Sequence, residues 1–325
     1  MRKCLILFGK LLAVLLVIGL LMEMSFRFYV IDFYAPEFAA LNPVSVSESN
    51  EKPTVLFLGD SFTANADSYV GKLRNKLPFN LINGAISGTG VMEASFVAPS
   101  RIDEFDPEIL IYQIYVGNDL LDIKHRTTGS IPFLRRVYHN LSDNLRVLKF
   151  LNYRLAQIRF GFYNDLHSPM AQKGLPFSRD GYSARQKLIF QSEPNHIEDV
   201  LELKNGRDED FKLLVDRINL IKNSLNENSK MVLLLIPHCA EVNVTYLDRM
   251  ALIGSESKAG ATDMFYSSLS SAFPGLDVLD LRGLFNSQDS AGHRLYFEND
   301  PHLNENGQTA MANFVSDYLI LEIGQ

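Results

Sequence analysis

The sequence predicts an α/β sandwich built on a five-stranded parallel sheet, and three observations carry that expectation. Five short apolar runs, Val55–Leu58, Leu81–Ile82, Ile109–Val116, Met231–Ile236 and Val278–Leu281, lack the polar alternation of a half-solvated strand, as expected where both faces are covered. Between them lie segments that keep one apolar helical face: Phe211, Leu214, Val215, Ile218, Ile221 and Leu225 before the fourth run, and Met311, Phe314, Val315, Tyr318 and Leu319 near the C-terminus. Strand and helix alternate, which favours right-handed crossovers and three layers, helix on sheet on helix.

The chain has 325 residues, 46% hydrophobic and 21% charged, the composition of a packed protein with room for one large domain and an insertion. A net charge of −7 gives no reason to expect nucleic acid as a partner. Met1-Arg2-Lys3 precedes an apolar stretch from Cys4 to Met22 that only Lys10 interrupts. With Lys10 snorkelling, this approaches the roughly 20 residues a membrane helix needs. Glu23 to Tyr29 carry no small-x-small cleavage pattern, which favours an uncleaved anchor over a secretory signal. Arg2, Lys3 and Lys10 precede the stretch and Arg27 alone follows it, so the N-terminus is expected in the cytoplasm and the remainder outside. Phe26, Phe28, Tyr29, Phe33 and Tyr34 suit a membrane–water interface or packing on the domain. Cys4 and Cys239 fall on opposite sides of the apolar stretch, which argues against a disulfide framework.

Residues 1–34 are therefore read as an anchor and interfacial segment. Residues 35–53, with Pro36, Pro43, Pro53, Ser45, Ser47 and Ser49, are read as a linker, and 54–325 as the α/β domain. Residues 124–210 are too long for a plain crossover and form a helical insertion. Its first part is basic (Lys124, Arg126, Arg135, Arg136, Arg146, Lys149, Arg154, Arg159), with Leu141, Leu145, Leu148, Leu151, Leu155 and Ile158 at helical spacing. It is either a cap whose basic face meets anionic lipid or polysaccharide, or a solvated helical hairpin.

Four segments bear chemistry. Gly59-Asp60-Ser61 follows the first run and sets a serine at the carboxyl end of a buried strand, where α/β proteins build their sites. Asn83-Gly84-Ala85-Ile86-Ser87-Gly88 follows the second, and a glycine there lets a backbone N–H approach a ligand. Val116-Gly117-Asn118-Asp119 follows the third and offers a side-chain amide donor. Asn299-Asp300-Pro301-His302-Leu303-Asn304 comes after the fifth.

These blocks, in this order, resemble those of the SGNH or GDSL hydrolase superfamily of serine esterases, lipases and acyltransferases. Its serine, glycine, asparagine and histidine match Ser61, Gly88, Asn118 and His302, and the resemblance covers residues 54 to about 122 and 275 to 320. It implies a flavodoxin-like sheet and a catalytic triad in which Ser61 attacks an acyl carbonyl, His302 is the base and Asp300 orients the imidazole. It also implies an oxyanion hole from the N–H groups of Ser61 and Gly88 and the Asn118 amide. The superfamily commonly has aspartate three residues before the histidine, where this chain has Asn299. Asp300, two before, matches the spacing of related polysaccharide acyltransferases.

The expected activity is hydrolysis of an ester on a glycan or lipid outside the cytoplasm. The alternatives are O-acyl transfer to a cell-surface polysaccharide, or an inactive binding member of the fold. The expected partners are the acylated glycan or lipid substrate and the membrane, through the N-terminal helix and the basic insertion. No metal-ligand spacing occurs, and Gly84, Gly88 and Gly90 lack dinucleotide spacing, so no cofactor or metal is expected. Asp60 and Asp119 read as turn caps or site organisers. His238 reads as a hydrogen-bonded structural residue, since a lone histidine needs a second convergent group to do chemistry. His125, His139, His167, His196 and His293 show no partner in the sequence.

Overall fold

The computed structural model describes residues 2–42, 52–74, 76–123, 137–138, 141–142, 144–161, 174–258, 260 and 262–323. Helices α1 (Arg2–Arg27) and α2 (Ala35–Leu41) precede β1 (Thr54–Leu58). Then come α3 (Tyr69–Arg74), β2 (Asn80–Asn83), α4 (Val91–Phe105), β3 (Ile109–Tyr115) and α5 (Asp119–Asp122). Helices α6 (Arg146–Gly161), α7 (Ala184–Ser192), α8 (His196–Leu201) and α9 (Arg207–Lys222) lead to β4 (Lys230–Ile236). After it run α10 (Cys239–Val242), α11 (Val244–Leu252), α12 (Met264–Ala272) and β5 (Asp277–Asp280). The order closes with α13 (Arg282–Ser290), β6 (Tyr296–Phe297), β7 (Asp300–Leu303) and α14 (Glu305–Ile323). By contacts the chain forms two compact units: Met1–Pro36 with His125–Leu166, and Glu37–Lys124 with His167–Gln325.

In the second unit, the five expected runs form one parallel sheet of order β2-β1-β3-β4-β5. β3 stops at Tyr115, one residue short of the apolar run, and β5 starts one residue earlier than its run. Every residue of β3 and all but the first of β4 are buried. Each such aliphatic side chain contributes about 2 kcal/mol relative to an exposed one. Helix α3 packs against α14, and α4 against α9, so the sheet lies between helical layers. The chain passes from β1 outward to β2, then returns across β1 to β3. The carboxyl ends of β1 and β3 thus flank the topological switch point, where open α/β sheets bind ligands.

Two expectations need correction. Ala35–Leu41, expected to open a linker, is helix α2: Phe38 stacks on Phe105 at 5.6 Å under the Arg101 guanidinium, and Arg74 donates to the Leu41 carbonyl at 2.6 Å. Residues 43–51 of that linker lie outside the described residues. The block holding His302 does not end a sheet strand. It forms β7 of an antiparallel two-stranded ladder with β6, separated from β5 by α13.

The expected insertion, 124–210, is divided: α6 falls in the first unit, α7 and α8 in the second. Lys124, Arg126, Arg135, Arg136, His125, His139 and His167 lie outside the described residues. In the first unit the last turn of α1 meets α6. Glu23 Oε2 accepts from the Val147 amide at 3.0 Å, satisfying a first-turn N–H that has no partner within its own helix. Arg27 donates to Glu23 Oε1 at 2.7 Å and to the Asn144 carbonyl at 2.6 Å. Phe26, Phe33 and Tyr34 are buried; Phe26 and Phe33 pack on Phe150, and Tyr34 on Tyr153. Ile6–Arg27 is long and apolar enough to cross a membrane.

Candidate active site

The turn after β1 is shaped by its neighbours. A Cβ on Gly59 would press on Gln113 Oε1 of β3, so glycine lets the turn close against that side chain. The same oxygen accepts from Asp60 N and Thr63 Oγ1, both at 3.1 Å. The amides of Thr63 and Ala64 turn back to the Asp60 carbonyl, and Phe62 N donates to Asp60 Oδ1 at 3.0 Å. Ser61 therefore stands on a tight turn fixed at both ends.

Ser61 Oγ lies 2.7 Å from His302 Nε2. The other ring nitrogen, Nδ1, meets Asp300 Oδ1, which also accepts from His302 N at 2.9 Å. A carboxylate only accepts, so Nδ1 carries the proton and Nε2 is free to accept from the serine hydroxyl. Phe62 stacks on the imidazole at 4.9 Å and 23°, and Tyr115 lies 4.2 Å behind Phe62. Burial alone would lower the His302 pKa. The Asp300 carboxylate, by charge and hydrogen bond, and Asp60 more remotely, hold it above the ordinary histidine value.

Asn299 shows why the commoner carboxylate position is an amide here. Its Oδ1 accepts from Ser178 N at 2.7 Å and its Nδ2 donates to the Pro176 carbonyl at 2.8 Å. An ionised aspartate could not make the second bond. Asn299 is a clamp on residues 176–178, and Asp300 carries the charge at the histidine.

Asn118 Nδ2 donates to Asp60 Oδ2 at 3.3 Å, which ties the turn after β3 to the Ser61 turn. Gly88 has φ +71°, a left-handed conformation that favours glycine, on an exposed loop held by Ile86 N donating to the Gly59 carbonyl. Ser61, His302 and Asp300 are thus joined by hydrogen bonds, and Asn118 is joined to the serine turn through Asp60. Gly88 is linked to that turn through its loop's backbone. Asp60 and Asp119 are buried, which raises the pKa of both, and desolvation pushes that of the partly exposed Asp122 up to about 7 although Arg185 pairs with it at 2.7 Å.

His238 is buried and caps α10, its Nδ1 accepting from Ala240 N at 3.2 Å, and burial lowers its pKa to about 3. His196, which showed no partner in the sequence, is fully buried and hydrogen-bonded. Its Nε2 donates to the Gly117 carbonyl at 2.8 Å, while Arg207 donates to its Nδ1 at 3.4 Å. Arg207 is in turn paired with Asp210 and Glu193. This network holds the Gly117-Asn118 turn from behind. Nothing in the sequence around His196 set it apart from a surface histidine.

A groove of about 1250 Å³ opens beside Ser61 and His302. Asn65, Lys72, Asn306 and Gln308 line it with polar groups, while Phe177 presents a ring. Arg249, also in the lining, pairs with Glu298 and lies 5.2 Å from the Phe177 ring centre. Neither Gly88 nor Asn118 is among the lining residues, although Ser87 is.

No protein-family model matches the chain, and no curated protein matches it by sequence. Among solved structures it is similar to a lipase, Lip_vut3, from a goat rumen metagenome, with 13% identity over 82% of this chain and 96% of that one and a TM-score of 0.40. It is similar to TesA, with 12% identity over 82% and 97% and a TM-score of 0.39. It is also similar to an acetyl xylan esterase, AlAXEase, with 13% identity over 82% and 100% and a TM-score of 0.41.

Proposed function

We propose that the chain is a serine hydrolase of carboxylic esters, with Ser61 as nucleophile, His302 as base and Asp300 as the group that orients and stabilises the imidazolium. One observation carries the reading: Ser61 Oγ, His302 and Asp300 form a continuous hydrogen-bonded line at the switch point of a parallel sheet. His302 Nε2 takes the serine proton as Oγ attacks the acyl carbon, and returns it to the departing alcohol oxygen. Water then attacks the acyl-enzyme as His302 removes its proton, the bond to Oγ breaks, and His302 returns that proton to Ser61 Oγ as the free acid leaves. The N–H groups of Ser61 and Gly88 and the Asn118 amide stabilise the oxyanion. Asn118→Ala is expected to lower kcat by about 100- to 1000-fold with little change in KM, since such donors act mainly in the transition state. Steady-state kinetics on an activated ester would check this.

The mixed lining of the groove supports an acyl group borne on a glycan over a long lipid chain: polar side chains can meet hydroxyls, and the ring of Phe177 can face a sugar ring. The substrate side is outside the cytoplasm, with α1 as an uncleaved anchor whose N-terminal Arg2, Lys3 and Lys10 stay inside. Transfer to a polysaccharide hydroxyl is the second reading. The Asp-x-His spacing and a groove large enough for an acceptor beside the acyl group favour it. Purified protein given p-nitrophenyl acetate, with and without glycan acceptors, separates them: free acetate marks hydrolysis and acetylated glycan marks transfer. Absence of Ser61-dependent p-nitrophenol release refutes both.

A further inference from the structure

We propose that α6 lies in the headgroup layer of the membrane that α1 crosses, its leucine stripe turned into lipid and its basic side chains against anionic headgroups. The proposal rests on α1 being a membrane span and is independent of the chemistry at Ser61.

The geometry at the end of α1 leads to it. Glu23 and Arg27, in the last turn of α1, bind Val147 N and the Asn144 carbonyl at the start of α6. The apolar side chains earlier on α1 stand exposed: Leu7 is 70% exposed and Leu20 is 62%. Helix α6 therefore begins at the level where the apolar stretch ends. Phe28 and Val30, at the same junction, are 69% and 75% exposed.

Helix α6 has two unlike faces. Phe150 and Tyr153 pack on the buried rings of Phe26, Phe33 and Tyr34. Leu148, Leu151 and Leu155, with Leu145 just ahead of the helix, fall within roughly 120° of one another, on the side away from those rings; Asn152 in the same arc bonds to Tyr138 and Ser142. Leu145, Leu151 and Leu155 are exposed, Leu155 at 62%. A stripe of this kind on a protein surface marks an interaction face. Lys149 and Arg154 fall on either side of the stripe, whereas Arg146 falls with Phe150 and Tyr153, and the sequence of α6 holds no Asp or Glu. The Arg154 guanidinium lies over the flank of the ring cluster, 5.5 Å from Phe150. An apolar stripe with basic flanks at the end of a membrane span fits a bilayer surface rich in anionic lipid. Each basic side chain near such a surface strengthens binding by about five-fold.

The chain contains no tryptophan, so a single one reports its own surroundings. Full-length Leu151→Trp and Leu155→Trp would be reconstituted into vesicles of phosphatidylcholine and phosphatidylglycerol, with and without brominated acyl chains, after circular dichroism has shown parental helicity. Bromination is expected to lower emission by about two-fold, with the residue shielded from aqueous acrylamide, as for a side chain at the acyl boundary. Acrylamide quenching without bromine quenching would show a wet face and overturn the proposal. Protection from both quenchers would show a face covered by protein, and would overturn it equally. Adding Lys149→Gln and Arg154→Gln to Leu155→Trp is expected to weaken bromine quenching in the anionic vesicles. Unchanged quenching would overturn the headgroup contact.

Discussion

Ser61→Ala is expected to lower kcat on p-nitrophenyl acetate by about 10⁴- to 10⁶-fold, close to the rate left by binding and oxyanion stabilisation alone. The loss is this large because the variant removes the atom that forms the covalent bond and leaves His302 without its hydrogen-bond partner at 2.7 Å. The fold should tolerate the change. Ser61 is only partly buried, and the turn is held by Gln113, Asp60 and Thr63 rather than by the hydroxyl. Thermal unfolding at the parental temperature, together with lost turnover, is the expected pair of results. Retained turnover would mean that another group is the nucleophile.

Asp300→Asn is expected to lower kcat by about 10⁴-fold, the scale seen when a catalytic histidine loses its carboxylate. The asparagine oxygen could still accept from His302 N, so the principal loss is the charge that stabilises the imidazolium formed during attack. The same substitution should move the pH profile, and the sign follows from the base. His302 works only when neutral, so activity falls as pH drops through its pKa. Asp300 holds that pKa above the ordinary 6.5, so the acid limb of kcat/KM should lie above 6.5 in the parent. In Asp300→Asn the lowering effect of burial is no longer offset by Asp300, and the limb should shift toward acid. Asp60 and Arg185 act on His302 in opposite directions and are unchanged in both proteins. A pH–rate series on the two proteins would check this, and an unshifted limb would remove Asp300 from the triad.

The parts of the fold legible in the sequence were those fixed by local pattern. Strands such as Ile109–Tyr115 and Lys230–Ile236 are almost wholly apolar, apart from Gln113 and the leading Lys230, because both faces are covered, and that needs no knowledge of the partner. Ser61 could be singled out because its flanking residues mark a turn at the end of a buried strand, and His302 because the Asp-x-His block resembles that of a known superfamily. What escaped depends on contacts distant in sequence. Asn299 looked like a lost carboxylate, and only the Pro176 carbonyl, 123 residues away, shows why an amide is needed. His196 reaches Gly117 across 79 residues, and no periodicity encodes that. Helix α6 looked like one piece with the residues up to 210. Its Phe150 and Tyr153 instead complete an aromatic cluster begun by Phe26 and Phe33, a partnership that no spacing along the chain announces.

Reaction with a fluorophosphonate, followed by peptide mass analysis, tests most directly whether Ser61 is an activated nucleophile. A neutral serine hydroxyl reacts slowly with such a reagent, and one within reach of a general base reacts fast. The parent is expected to carry one adduct on the peptide containing Phe57-Leu58-Gly59-Asp60-Ser61. His302→Ala should label far more slowly, and Ser61→Ala not at all. An unlabelled parent, or an adduct on a different serine, would contradict the assignment of Ser61.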